Sequence, residues 1–188
     1  MTTKPTTAAV VLAAGHSRRW GPGNKLLAFW QGAPMASAAA RLLRDTPADW
    51  RAVVRRDPDV AALFPATDKL TPNGEDQSAS LRRAAQYAAD LNADRVVILL
   101  ADMPCVSVAT VTRVMSATTP DLAACVAYPD DRSGPPACFP RGLFSQLMSV
   151  TGDQGARFLL KSAVRVVAPS SELIDFDTPD DLSLPPAQ

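Results

Sequence analysis

At 188 residues with 47% hydrophobic side chains, the chain is long enough to bury one continuous core, and nineteen basic residues balance nineteen acidic ones. That balance excludes a broad cationic face for DNA or RNA, so any anion binding has to be local. Cys105, Cys125 and Cys138 are odd in number and form no C-x-x-C pair, which excludes a disulfide framework or zinc site and predicts buried, reduced thiols.

Ala8 to Ala13 is a continuous apolar run that breaks at Gly15, the pattern of a strand covered by helices on both faces of a parallel sheet. Ala36 to Arg44 reads as helix and Arg51 to Arg55 as strand. From Ser78 to Leu91, the residues Leu81, Ala84, Ala85, Ala88 and Leu91 recur at helical spacing, and a second buried strand follows from Arg95 to Ala101. Val108 to Ala117 reads as helix, Leu122 to Tyr128 as strand, and Pro129 to Pro136 as a turn-rich loop between two short strands. Gly142 to Val150 and Ala156 to Ser162 read as helices, before a strand at Val164 to Ala168. The alternation predicts an α/β fold, a single-domain three-layer sandwich over 1–188 with a Rossmann-like, mainly parallel sheet. Residues 1–7 and 183–188 read as flexible ends. No apolar run approaches the roughly 20 residues that cross a bilayer, and Met1 to Thr7 lacks an export signal. A cytoplasmic protein with no membrane or nucleic-acid partner is expected.

The densest chemical signal runs from Leu12 to Lys25, where the first strand opens into a loop with Gly15, Gly21, Gly23, Arg18 and Arg19. Glycines let backbone amides approach a triphosphate, and the cationic side chains offset its charge; a purely structural turn is the alternative. The order of glycines and lysine matches neither a Walker A sequence nor a dinucleotide fingerprint. Asp102 stands at the end of a buried strand, where open parallel sheets place their ligands, which makes it the leading metal ligand or else the N-cap of the next helix. Asp175 and Asp177 alternate along a short strand candidate, so only one of them is expected to join Asp102. Asp180 and Asp181 read as dipole partners in a first helical turn. Ser78, Ser80 and Arg82 open a helix, where free amides and hydroxyls suit an anion or a base edge, or an ordinary cap. His16 beside Ser17 suggests a hydrolase pair, but sequence neighbours rarely reach triad geometry and no nucleophile elbow is present.

Leu-Ala-Ala-Gly-x-Ser-x-Arg-x-Gly from Leu12 to Gly21, followed by Lys25, resembles the signature of single-domain nucleotidyltransferases of the MobA-like superfamily. Asn73-Gly with Ser78-Ala-Ser-Leu-Arg82, Leu100-Ala-Asp-Met-Pro104, Gly152-Asp-Gln-Gly-Ala-Arg157 and Asp175-Phe-Asp-Thr-Pro-Asp-Asp-Leu182 then follow. Their order is that of molybdenum cofactor cytidylyltransferases and spans nearly the whole chain.

The resemblance implies an enzyme that uses Mg2+ to move CMP from CTP onto a molybdopterin-type molybdenum cofactor with release of pyrophosphate. A molybdoenzyme apoprotein is a further candidate partner. By the same resemblance Lys25, Arg19 and Asp102 are catalytic, and Asp102 and Asp177 hold the metal. Leu12, Ala13, Ala14, Gly15, Ser17, Arg19, Lys25, Ser78, Ser80 and Leu81 surround the nucleotide, while Gly134, Asp153 and Arg157 face the acceptor. A phosphate monoester acceptor is already anionic and needs positioning more than deprotonation, so His16 is dispensable as a base. The preference for cytidine rests on Ala14, where guanylyl-transferring relatives tend to have Gly. Two positions depart from the family: Ser133-Gly-Pro-Pro136 stands where Gly-His-Pro is common, and Trp20 replaces Met or Phe while keeping an apolar role. A sugar phosphate or other small phosphate ester is the alternative acceptor. A non-catalytic carrier of the molybdenum cofactor is the alternative from a different class.

Overall fold

The computed structural model describes residues 4–15, 20–21, 23–76, 78–152 and 156–183. Among these, β1 (Thr7–Ala13), β4 (Trp50–Arg55), β5 (Asp68–Leu70), β6 (Arg95–Leu100), β7 (Ala124–Ala127), β8 (Ser133–Pro140) and β9 (Val164–Val167) form one sheet in the order β5-β4-β1-β6-β8-β7-β9. A small hairpin, β2 (Phe29–Trp30) and β3 (Ala33–Pro34), stands apart from it. β1 pairs in parallel with both β4 and β6, and β8 alone runs against its neighbours β6 and β7. The sheet is therefore mainly parallel, as the alternating pattern predicts.

Because successive strand residues face opposite sides, β1 feeds two separate cores. Ala9, Val11 and Ala13 pack with α1 (Ala36–Asp45), α2 (Pro58–Ala62) and α4 (Val108–Ala117), through residues such as Leu43, Val60 and Val111. Ala8, Val10 and Ala14 pack on the other side with α3 (Ser78–Asp90) and α5 (Phe144–Ser149), through Ala84, Ala88 and Leu147. Helices thus cover both faces, which explains why β1 and β6 read as unbroken apolar runs. The three cysteines are buried, reduced thiols, and burial pushes Cys138 up to about 11.

Three expectations are corrected by the packing. Ala156 to Ser162 does not form a helix: it folds into consecutive turns in which Leu159 and Leu160 are buried and Ala156 packs beside them, and so short a segment gains too few bonds to offset helix nucleation. Gly142 to Val150 is helical only from Phe144, after a 3-10 turn at Arg141–Leu143. The loop expected from Pro129 to Pro136 ends earlier, because β8 begins at Ser133. Its register against β7 jumps from Cys125–Ala137 to Val126–Gly134, skipping the two prolines, which have no N–H to give the ladder. α2 and β5 were not legible at all: α2 is a single turn started by Asp57, whose side chain caps Asp59 ahead of Pro58, and β5 is a three-residue edge strand.

Leu99, fully buried on β6, holds the strand that leads into Asp102. Leu99→Ala is expected to lower unfolding free energy by about 2–5 kcal/mol, checked by urea denaturation. A loss below about 1 kcal/mol would show that the layer collapses around the gap.

Candidate active site

The carboxyl ends of β1, β4 and β6 lie along one edge of the sheet, and the register sets Leu12 beside both Val54 and Leu100. This brings the Gly15 turn and Asp102 to the same rim. A 3-10 turn over Lys25–Leu27 carries the lysine back to that rim. Asn24 fixes the turn twice: its Oδ1 accepts from the Leu26 amide at 3.0 Å, and its side-chain amide donates to Asp57 at 2.8 Å.

Lys25 is buried, and its ammonium donates to Asp102 at 2.6 Å and to Asp177 at 3.2 Å. It also donates to the Phe176 carbonyl at 3.2 Å. Burial alone would lower the pKa of this ammonium, but the adjoining Asp102 and Asp177 carboxylates outweigh it and hold the group above its ordinary value. The side chains of Asp102 and Asp177 keep 25% and 36% of their surface, so the cluster is open to solvent from one side.

The segment carrying Asp177 is anchored by Phe176. Its ring is fully buried against Trp30 at 5.3 Å between centroids, in a small cluster with Met35 and Cys105. Trp20 packs on the same cluster, so the residue that departs from the family keeps its apolar role. The Phe176 amide donates to the Asp102 carbonyl at 3.0 Å, tying this segment to the end of β6. No strand forms here, and with Phe176 turned inward both flanking aspartates come to the same rim. The expectation that only one of them joins Asp102 is therefore too narrow. Enclosure in the cleft lifts the Asp175 carboxyl to about 6, and the charges of Asp102 and Asp177 add to the effect. Asp175 is exposed at the mouth of the cleft, where the negative charges of Asp102 and Asp177 disfavour its ionisation. Asp181 is structural: its Oδ2 accepts from the amides of Asp177 and Thr178 and from the Thr178 hydroxyl.

A cavity of about 630 Å³ opens beside this cluster. Leu12, Leu81, Ile98, Leu100, Phe139 and Leu160 give it an apolar floor, while Arg132, Arg157, Lys161 and Arg165 bring positive charge and Asp131 and Asp175 negative charge. Tyr128 forms one wall. Its hydroxyl donates to the Pro135 carbonyl at 2.8 Å, and the Arg132 guanidinium lies over its ring at 5.1 Å. Gly134 presses on the same ring: a Cβ there would come within 3.0 Å of Tyr128.

The expected residues thus divide into groups. Lys25, Asp102 and Asp177 meet directly, and Leu12, Ser78, Leu81, Gly134 and Arg157 line the adjoining cavity. Ala13 and Ala14 are buried on opposite sides of the sheet, and Gly15 is exposed at the rim with open space where a side chain would stand. Ser80 is buried, and Ser78 spends its hydroxyl on the Gly152 carbonyl at 2.5 Å. Ser17, Arg19 and Asp153 lie outside the described residues, as does His16. Sequence reasoning missed Tyr128 and Arg132 in the β7–β8 connection, Lys161 in the turn segment and Arg165 on β9, which share no spacing; for Asp175, its place in the Asp-Phe-Asp string was the available signal.

Among the described residues, no three His, Cys, Asp or Glu side chains form a metal centre by themselves. Two carboxylates meeting at one cation still fit magnesium, which commonly takes one or two carboxylates and completes its shell with water and nucleotide phosphates. The raised Asp175 pKa has a consequence for stability. The folded protein holds that proton more tightly than the unfolded chain, so the contribution is full below the ordinary value of 3.8 and is lost as pH rises through about 6. In chelator, Asp175→Asn is expected to melt higher than the parent at about pH 8 and equally at about pH 3, below both values, measured by calorimetry. A difference that stays constant over this range would rule the shift out.

The family description "MobA-like NTP transferase domain" matches residues 9–167, from β1 to the end of β9. The match stops before Asp177, whose tie to the site is its contact with Lys25. The chain is 30% identical over 203 residues to the purine catabolism protein PucB of Bacillus subtilis (strain 168), covering 96% of each. Among solved structures, Rv0371c of Mycobacterium tuberculosis H37Rv aligns with a TM-score of 0.80 at 27% identity, over 94% of this chain and 95% of that one. A complex of Rv0371c with manganese aligns with a TM-score of 0.69 at 26% identity, over 87% and 88%. No helix among the described residues is long and apolar enough to cross a membrane. With a family match across the whole sheet and a relative of nearly equal extent, the chain belongs to the MobA-like NTP transferase family and is built on its nucleotidyltransferase fold.

Proposed function

We propose that this protein transfers CMP from CTP to the terminal phosphate of a molybdopterin-type molybdenum cofactor and releases pyrophosphate. The observation that carries this reading is the Lys25 ammonium held between Asp102 and Asp177, at the rim where the Gly15 turn opens. Asp102 and Asp177 would hold Mg2+, which supplies Lewis-acid compensation of nucleotide phosphate charge when bound. The manganese bound by Rv0371c supports a divalent cation in this fold.

Lys25, kept charged by its carboxylate neighbours, offers an ammonium to the α-phosphate and the departing pyrophosphate. Arg19 and Ser17 belong to the same loop and complete its phosphate contacts in this reading. An oxygen of the acceptor's phosphate monoester forms the new bond to the α-phosphorus while the bond to the β-phosphate oxygen breaks. That nucleophile is anionic at neutral pH, so the site works by positioning and charge compensation and needs no general base.

The acceptor's place in this reading is the adjoining cavity, bordered by Gly134 and Arg157. An apolar floor with a cationic rim favours a flat ring system bearing phosphate over a small hydrophilic sugar phosphate. A molybdoenzyme apoprotein would receive the product. Pyrophosphate release separates an enzyme from a carrier that only delivers the cofactor.

Asp102→Asn and Asp177→Asn are each expected to lower turnover on the order of 100-fold with the fold intact, measured by pyrophosphate release at saturating magnesium and CTP. Near-normal turnover in either variant would remove that carboxylate from the site. The second expectation concerns nucleotide choice. Ala14 is buried on the same side of the sheet as Leu81 and Ala84, so its methyl narrows the room left for a base. Small contacts of this kind are worth about 1–3 kcal/mol, so CTP should exceed GTP in kcat/KM by roughly ten- to two-hundredfold, and Ala14→Gly should reduce the gap. Competition between labelled CTP and GTP measures it, and a GTP preference in the unmodified protein would overturn the cytidylyl assignment alone.

A further inference from the structure

The cavity is walled on one side by the start of α3, through Ser78 and Leu81, and on another by the turn segment carrying Ala156, Arg157, Leu160 and Lys161. The second wall has no helix or strand of its own, and Leu159 and Leu160 pack it into the same apolar layer as Leu81 and Ala84 of α3. The chain just before it, at Val150 and Gly152, is tied to α3 by a polar network centred on Arg82. The guanidinium grips Asp76 with both ends, at 2.8 and 2.7 Å, and also donates to the Val150 carbonyl at 2.8 Å. It reaches the Asn73 carbonyl at 3.4 Å.

The Ser78 hydroxyl bonds to the Gly152 carbonyl, and the Gly152 amide supports the Asp76 carboxylate, so the loop before α3 and the loop after α5 are stitched into one unit. Gly74 permits this close fit: its φ is +114°, and a Cβ there would stand 3.3 Å from Asp76 and 3.4 Å from Arg82. On the far side of the same loop, Arg56 donates to the Gly74 carbonyl at 2.5 Å and to Glu75 at 3.0 Å. The loop from Asn73 to Asp76 follows β5 at the carboxyl edge of the sheet, which is the edge that carries Gly15 and Asp102.

We infer that the Asp76–Arg82 pair is a positioning device that fixes the two walls of the substrate cavity relative to each other, and thereby sets the affinity for both nucleotide and acceptor without touching either. The inference rests on the nucleotidyltransferase reading. A planar guanidinium suits the task because it holds a carboxylate with two bonds and a carbonyl with a third, whereas a lysine ammonium has no such fork. Losing the pair releases the anchor at Val150, just before the 156–161 wall, and leaves that wall to Leu159 and Leu160 alone, so it samples positions that do not match the substrates. Affinity falls because only the fraction of molecules with both walls in place can bind.

The test uses the full chain, CTP with magnesium, and purified molybdenum cofactor as acceptor, with pyrophosphate release and a thermal melt for every variant. Arg82→Ala is expected to raise KM for CTP and for the acceptor about tenfold each, with a smaller change in kcat at saturation. Arg82→Lys should not restore either value. Asp76→Asn should reproduce the effect, and the double variant should be no worse than the stronger single one, as expected for two residues acting as one unit. Unchanged KM values in folded Arg82→Ala, or additive losses in the double variant, would overturn the inference. If Arg82→Ala does not fold, Asp76→Asn and Arg82→Lys decide by the same criteria. Absence of pyrophosphate release from the unmodified protein with any nucleotide would instead overturn the functional reading, and this inference with it.

Discussion

Two ionised carboxylates held close together at the edge of a sheet repel unless a cation stands between them, and the architecture around Lys25 answers that constraint. Asp102 is delivered by the end of a buried strand and Asp177 by a segment pinned through Phe176. Lys25 arrives on a short 3-10 turn that Asn24 secures. Each of the three is supplied by a different part of the chain, so the cluster exists only in the folded state. The lysine compensates charge that would otherwise repel, at 2.6 and 3.2 Å from the two carboxylates. A side chain that balances two anions in the free protein is also well placed to exchange one partner for a phosphate, because either interaction keeps it charged.

The sheet explains why the cavity lies where it does. β8 is the reversed strand, inserted between β6 and β7, and its prolines shift the register so that Gly134 comes against Tyr128. On the same side of the sheet, Leu12 and Ile98 offer small apolar surfaces between α3 and the turn segment after α5. Charge follows the same division. The chain has no net charge, yet one side of the cleft gathers three aspartates and the other four basic side chains. Local separation of charge within a neutral protein lets a site hold a cation and anions together without a global field.

Much of this was legible in the residues themselves. β1 and β6 announce themselves as apolar runs because helices cover both faces, and the spacing of Leu81, Ala84, Ala85 and Ala88 marks α3 directly. The ends of these elements locate Gly15 and Asp102, since ligand sites in parallel sheets follow the strand termini. What stayed hidden depends on contacts between distant segments. Nothing local in Asp175-Phe-Asp177 says that the phenylalanine turns inward and leaves both carboxylates at the rim; the partner that decides this is Trp30, far away in the chain. Tyr128 and Arg165 likewise reach the cavity only through strand pairing. Arg82 reads as an anion-binding side chain at a helix start, and its bond to the Val150 carbonyl depends on a loop 68 residues away. Ala156 to Ser162 misled for a related reason: its apolar residues have helical spacing, but only a single turn of it is supported by the core.

The small cluster around Phe176 has a thermodynamic consequence of its own. Trp30, Met35, Cys105 and Phe176 pack together apart from the two large layers, so the segment bearing Asp177 can separate by opening this patch with its bonds to Lys25 and Asp102 while both layers stay intact. Such a local opening costs less than global unfolding, and amides near Phe176 should exchange with solvent more readily than those of β1 or β6. Any ligand that bridges this segment to Asp102 adds its binding free energy to the closed form. Occupancy of the site and closure of its last wall are then two views of one equilibrium.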